Sequence, residues 1–234
     1  MSGRVELTDV AGVPETRLLE AVASRLPPNA STAPWECRCE ALVWAARGSR
    51  AAREALPPAL AGSRALAVVG GFVRYADTPV GRYDEVLGLV ASHRGLRPWG
   101  SVAFMAVDSE PSLVGGRSNW AMPKTLAAFE GEIASGATIT GGGAGDLSWR
   151  VSAKPRVVGP PLPLRASVMA RQQFPDGVVR ASRLRNRGWF RPALVRVEVE
   201  SDGPLPSWLR PGWHLGAVVD RMTFTLGAPR GEDG

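Results

Sequence analysis

Lysine is nearly absent from this chain: of 28 basic side chains, only Lys124 and Lys154 are lysines. Arginine fills almost every position where positive charge is wanted. A lysine amine can shed its proton and attack a carbonyl carbon, which a guanidinium cannot, so a retained lysine invites a chemical explanation. Cysteine and histidine are scarce too, two of each. Cys37 and Cys39 stand two apart, on one face of a strand. A bridge between them would be strained, and a cytosolic pair stays reduced. Zinc would need more ligands, and His93 and His214 lie at unrelated spacing, so neither a metal nor another cofactor is expected. Long hydrophobic runs are missing as well. The longest, residues 65–73, is far too short to cross a bilayer, and the N-terminus carries no apolar signal core. The expectation is a cytoplasmic protein with no membrane partner. No Gly-x-Ser-x-Gly elbow occurs. The glycine run 141–145 lacks a Lys-Ser/Thr ending and precedes a strand pattern, so it predicts a hairpin loop rather than a phosphate cradle.

What is present is an ordinary globular composition: 234 residues, 44% apolar and 21% charged, enough for one large domain with a real core. The net charge of +6 raises nucleic acid as a partner. The densest basic stretch holds Arg183, Arg185 and Arg187, which alternate and so line one face of a strand. A solvated outer face accounts for them, no helix-turn-helix or zinc-finger pattern accompanies them, and no nucleic-acid partner is expected.

The spacing of apolar residues predicts a helix over 13–26, with Leu18, Leu19, Val22 and Leu26 on one face, then a Pro-rich linker over 27–34. A second short helix is predicted over 49–56. Strands are predicted over 36–45, 65–75, 82–93, 99–107, 128–139, 147–154, 164–171, 177–185, 193–200 and 218–226. Gly70-Gly71 marks a bulge or a close backbone approach. Lys124 falls in a loop with at most one helical turn, and residues 229–234 read as a tail. Many strands, few helices and regular turn signals predict a mainly β, α+β protein built on an antiparallel sheet or barrel.

A turn over 77–81 feeds the strand that carries Tyr83, Glu85 and Leu87 on one face and Asp84 on the other. Alternation leaves two readings open: Glu85 faces inward with a tyrosine beside it, or it is an ordinary exposed acid.

Three segments, 77–85, 107–117 and 122–126, resemble the acetoacetate decarboxylase family in order and spacing. The family shows a Gly-x-Tyr-x-Glu strand, an Asp-Asn-Glu-Pro-like stretch leading to Gly-Arg-Glu, and Tyr-Pro-Lys-Lys-Leu. Here these read Gly81-Arg-Tyr-Asp-Glu85, Asp108-Ser-Glu-Pro111 leading to Gly116-Arg-Ser118, and Met122-Pro-Lys-Thr-Leu126. The resemblance implies a curved antiparallel sheet closing to a cone-like β-barrel with a few peripheral helices. That domain would span 33–230 behind an N-terminal helix and linker, 1–32, in a homo-oligomer. It implies that Lys124 forms a Schiff base with a small keto acid, and that Glu85 orients the substrate or shuttles a proton. Arg117 and Arg38 would pair with the substrate carboxylate. Tyr83, Trp120 and Met122 would sit beside the substrate, with Leu126 and Phe104 adding to the apolar surroundings of the amine. Three departures stand out: Thr125 replaces the family's second lysine, Ser118 replaces a glutamate, and Gly71 falls near a position that carries a carboxylate in the family. Burial then becomes the main means of favouring a neutral amine at that position, and decarboxylation, aldol chemistry and dehydration all stay open. The alternative is a non-catalytic barrel that binds a ligand or acts as a scaffold, with Lys124 as a counter-ion. Retention of this lysine in a chain that otherwise avoids lysine favours the enzyme.

Overall fold

Strand-forming segments dominate the chain, and the computed structural model, which describes residues 5–95 and 97–231, joins them in one sheet. The strands are β1 (Trp35–Arg47), β2 (Ala67–Asp77), β3 (Tyr83–Arg94), β4 (Arg97–Val107), β5 (Lys124–Leu126), β6 (Ala128–Gly131), β7 (Ile139–Ala144), β8 (Ser148–Val157), β9 (Leu162–Gln173), β10 (Val179–Ser201), β11 (Gly212–Leu226) and β12 (Arg230–Gly231). The helices are α1 (Val5–Thr8), α2 (Glu20–Ala23), α3 (Arg50–Glu54), α4 (Glu110–Trp120), which is largely buried, and α5 (Leu205–Leu209). The protein is mainly β, as the alternation predicts.

The path β11-β1-β2-β3-β4-β9-β10 closes on itself because β10 also pairs with β11, giving a ring of strands. The second half of β10 takes β8 as a further neighbour, and β7 and β6 follow it. One ring junction is parallel. There β4 meets β9 only through Trp99–Met169 and Gly100–Ala170. The buried Gln172 side chain extends that junction. Its oxygen accepts from Val102 N (2.8 Å) and Ser101 Oγ (2.9 Å), and its nitrogen donates to Val102 O (3.0 Å).

Alternation sorts the strands' side chains into two cores. Leu42, Trp44, Phe72, Val86 and Phe104 point outward, against Val151 of β8 and Val195 and Val197 of β10. Cys37, Cys39, Ala41, Val73, Tyr75, Tyr83 and Met105 point into the space the ring encloses. Gly70 proves to be a close approach: a Cβ there would lie 2.3 Å from the Trp44 indole.

Several elements differ from the expectation. Residues 13–26 do not form one helix. A 3-10 turn over Pro14–Thr16 is followed by extended backbone at Arg17 and Leu19, and α2 comes only after that. The Thr16 carbonyl, which a continuous helix would need, accepts instead from Arg117 Nη2 at 2.5 Å. Residues 128–139 break into β6 and the start of β7, and the glycine run lies largely in β7 rather than in a loop. Those glycines admit aromatic rings, since a Cβ on Gly143 would lie 2.7 Å from the Trp149 indole nitrogen. The predicted strands 177–185 and 193–200 are one 23-residue strand, β10. Arg183, Arg185 and Arg187 lie exposed on its outer face. Of the predicted tail, Arg230 and Gly231 pair with β10, and residues 232–234 lie outside the described residues.

Candidate active site

Two hairpin strands bring the polar end of the site together. Register sets Tyr75 of β2 opposite Tyr83 of β3, and Val73 opposite Glu85. Glu85 therefore faces inward and is 2% exposed. Asp84 takes the other face, where it binds Arg74 at 2.8 Å. The two phenol rings stack with centroids 4.2 Å apart. Burial first, and the charge of Glu85 second, push both phenols well above their ordinary range, so each stays protonated as a donor.

Lys124 arrives from the opposite side. The sequence suggested a loop before it, but residues Glu110–Trp120 form a helix of about three turns. Ser109 caps it by accepting from Ser112 N (3.3 Å), Pro111 sits in its first turn, and Ala121 ends it in the left-handed region, at φ 50°. β5 then starts at Lys124 and runs parallel to β4. The glycine pair inside α4 is explained by what crosses it. A Cβ on Gly115 would lie 2.5 Å from the Trp35 ring, and one on Gly116 would lie 2.5 Å from Lys124 Cδ and 2.6 Å from Cε. The lysine stem therefore lies directly over the helix backbone.

Lys124 is 3% exposed. Nζ donates to Glu85 Oε2 at 2.8 Å and to Ser112 Oγ at 2.9 Å, and lies 5.1 Å from the Tyr83 ring centroid. The other carboxylate oxygen of Glu85 accepts from Tyr75 OH at 3.1 Å. Moving one proton along the 2.8 Å bond converts an ammonium–carboxylate pair into an amine–acid pair, and neither form carries net charge. The Cys37 thiol is pushed up to about 12 by burial and then by the charge of Glu85, so it is no competing nucleophile.

Lys124 and Glu85 open into a cavity of about 450 Å³. Tyr83, Trp120 and Met122 line it together with Tyr75 and Trp35, and Lys124 and Glu85 mark its polar end. Away from that end the wall is apolar, Asn186 being the exception among the described residues apart from indole nitrogens.

Two predicted residues are elsewhere. Arg117 is buried behind the lysine, and Nε, Nη1 and Nη2 donate to the carbonyls of Lys124 (2.6 Å), Leu7 (2.6 Å) and Thr16 (2.5 Å). It does not line the cavity, and its three bonds clamp backbone carbonyls of three segments together. Arg38 alternates with the inward Cys37 and Cys39, so it faces solvent. Its side chain is 70% exposed and it pairs with Asp77 at 2.6 Å. Phe104 belongs to the outer core and does not surround the amine, whereas Leu126 packs against the inner one. Sequence reasoning missed Tyr75 and Ser112. Pairing the strands across the 77–81 turn would have found Tyr75, opposite Tyr83. Ser112 had no signal without the helix. Among the described residues no group of three or more His, Cys, Asp or Glu could hold a metal, and no helix is long and apolar enough to cross a membrane.

Residues 21–161, more than half of the chain, match the acetoacetate decarboxylase family model. Solved structures with the same fold include an acetoacetate decarboxylase from Legionella pneumophila subsp. pneumophila str. Philadelphia 1, at 16% identity and TM-score 0.60, covering 100% of this chain and 97% of that one. The enduracididine biosynthesis enzyme MppR complexed with pyruvate matches at 17% identity and TM-score 0.61, over 86% of this chain and 90% of that one. An acetoacetate decarboxylase-like enzyme from Sphingomonas wittichii RW1 matches at 16% identity and TM-score 0.58, over 87% and 94%. No curated protein matches the sequence.

Proposed function

The chain belongs to the acetoacetate decarboxylase family, and from that premise we propose that it is a Schiff-base-forming lyase acting on a keto acid through Lys124. The observation that carries this is the buried 2.8 Å bond between Lys124 Nζ and Glu85 Oε2 at the head of an apolar cavity. Glu85 accepts a proton from the amine. The freed lone pair attacks the substrate carbonyl carbon, and the nitrogen passes one of its remaining protons to the carbonyl oxygen to give a neutral carbinolamine. Glu85, now the acid, protonates the departing hydroxyl, water leaves, and a protonated imine remains beside the carboxylate. Breaking a bond that joins the carbon alpha to the imine to a carboxylate, or to a hydroxyl-bearing carbon, sends its electron pair through the imine to the nitrogen, forming a neutral enamine. In a decarboxylation the fragment lost is carbon dioxide, and in a retro-aldol cleavage it is an aldehyde. Reprotonation at carbon and hydrolysis then return the free lysine. Tyr75, held protonated, steadies Glu85 through its 3.1 Å bond and keeps the carboxylate aimed at the amine. The substrate carboxylate finds its positive charge in the imine itself, since Arg117 and Arg38 are engaged elsewhere. The homo-oligomer that the resemblance implies and the cytoplasmic setting expected from the sequence belong to the same reading, and sedimentation checks the first.

The test is reductive trapping. Incubation with pyruvate, acetoacetate and longer keto acids, followed by borohydride, should leave a secondary amine on Lys124, seen as a mass increase of the intact protein and placed by peptide mapping. The proposal fails if none of these acids leaves an adduct, or if the adduct persists in Lys124→Ala.

A further inference from the structure

A three- or four-carbon keto acid leaves most of this cavity empty. At about 450 Å³ it lies in the range of pockets that enclose drug-sized ligands. Its long axis can be read from β3, where Tyr83, Glu85, Leu87, Leu89 and Ala91 all line it. Glu85 and Ala91 are six residues apart, a span of roughly 20 Å along a strand. Polarity is confined to one end of that line. β2 repeats the order, with Tyr75 and Val73 at the polar end and Val69 farther along. Between those two valines, Gly71 places no side chain on that face. Val43, Val102 and Met169 continue the apolar wall from other strands.

We propose that the substrate is a keto acid with a long, unbranched or lightly branched apolar tail: its carbonyl at Lys124 and its tail along β3 towards Ala91. This rests on Lys124 being the imine-forming residue, and it adds what the rest of the cavity takes. The tail supplies the binding free energy, because removing each methylene from water favours the complex by about 0.8 kcal/mol, or about fourfold. A water-filled apolar channel beside a short acid would forgo that gain.

The series pyruvate, 2-oxobutanoate, 2-oxohexanoate, 2-oxooctanoate and 2-oxodecanoate tests it, with calorimetric binding and borohydride trapping measured in parallel. Half-saturation should fall about fourfold per methylene, roughly 250-fold from 2-oxobutanoate to 2-oxooctanoate. Leu89→Trp and, as a milder filling, Val69→Phe should each weaken 2-oxodecanoate roughly tenfold or more relative to 2-oxobutanoate. Adducts whose half-saturation is flat with chain length would overturn the tail and leave the lysine chemistry standing. Chain-length-dependent heat without any adduct would support the tail and overturn the lysine chemistry. Neither heat nor adduct overturns both.

Discussion

Replacing Arg117 by methionine separates a clamp from a substrate ligand. In the structure its guanidinium ties three carbonyls together: Leu7 in α1, Thr16 in the turn after it, and Lys124 at the start of β5. Hydrogen bonds from a charged donor contribute about 1.5–3 kcal/mol each, so the three together give roughly 5–9 kcal/mol. Against this stands desolvation, which lowers the Arg117 pKa to about 10 while leaving it charged at neutral pH. That displacement from its ordinary value corresponds to about 3 kcal/mol, recovered when the charge is removed. The net expected loss for Arg117→Met is roughly 2–6 kcal/mol. With a urea m-value of about 2 kcal/mol/M, the unfolding midpoint should drop by roughly 1–3 M. Because Arg117 also holds the Lys124 carbonyl, trapping should slow at every keto acid concentration, without a selective rise in half-saturation. A variant with an unchanged urea midpoint and a raised half-saturation for keto acids would refute this, and would return Arg117 to the role of carboxylate partner.

Glu85→Gln cannot take the amine proton, so trapping should slow by about 10²–10⁴-fold, and the urea midpoint should fall by roughly 1.5–2.5 M because the buried amine of Lys124 loses its counter-charge. Stopped-flow quenching with borohydride measures the rate. Gly116→Ala sets helix propensity, a gain of about 1 kcal/mol, against a collision with the Lys124 stem. The thermal midpoint should move little while the adduct is largely lost, and an adduct formed at the wild-type rate would show that the stem need not lie over the helix. Cys37 should resist iodoacetamide at pH 8 in the folded protein and react once urea unfolds it. Its raised pKa favours the thiol in the folded state. That contribution to stability is complete below about pH 9 and drains away as pH climbs towards about 12, which urea melts across that window would record.

The legible parts of this molecule were those written in period two. Alternation sets Cys37 with Cys39, Tyr83 with Glu85, and Arg183 with Arg185 and Arg187 on shared faces, as the strands have them, but it left open whether Glu85 turns inward. What stayed hidden was decided by contacts between distant segments. Residues 13–26 carry helical spacing, yet Arg117, a hundred residues away, takes the carbonyl such a helix would use. The glycines of α4 and β7 read as loop formers, because nothing local reveals that Trp35, Lys124 and Trp149 will lie across them. Arg117 and Arg38 were assigned by resemblance. Which way each points depends on a helix that was not predicted and on a strand phase that Cys37 and Cys39 already fixed.

Mechanically, the ring is a belt with a single buckle. Around most of its circumference long antiparallel ladders hold neighbouring strands, but β4 and β9 meet through two residue pairs and the Gln172 side chain. The Arg171 guanidinium of β9 also lies over the Trp99 ring of β4, 4.8 Å from its centroid, and Gln172 Nε2 reaches Ala121 O at 3.2 Å, while the β2–β3 hairpin that carries Tyr75 and Glu85 is paired independently of this junction. Trp99, Gly100 and Met169, which line the cavity, sit at that fastening. Trp99 and Met169 therefore owe their places in the cavity wall to the most sparsely paired junction of the ring, while the end that carries Glu85 rests on full antiparallel ladders.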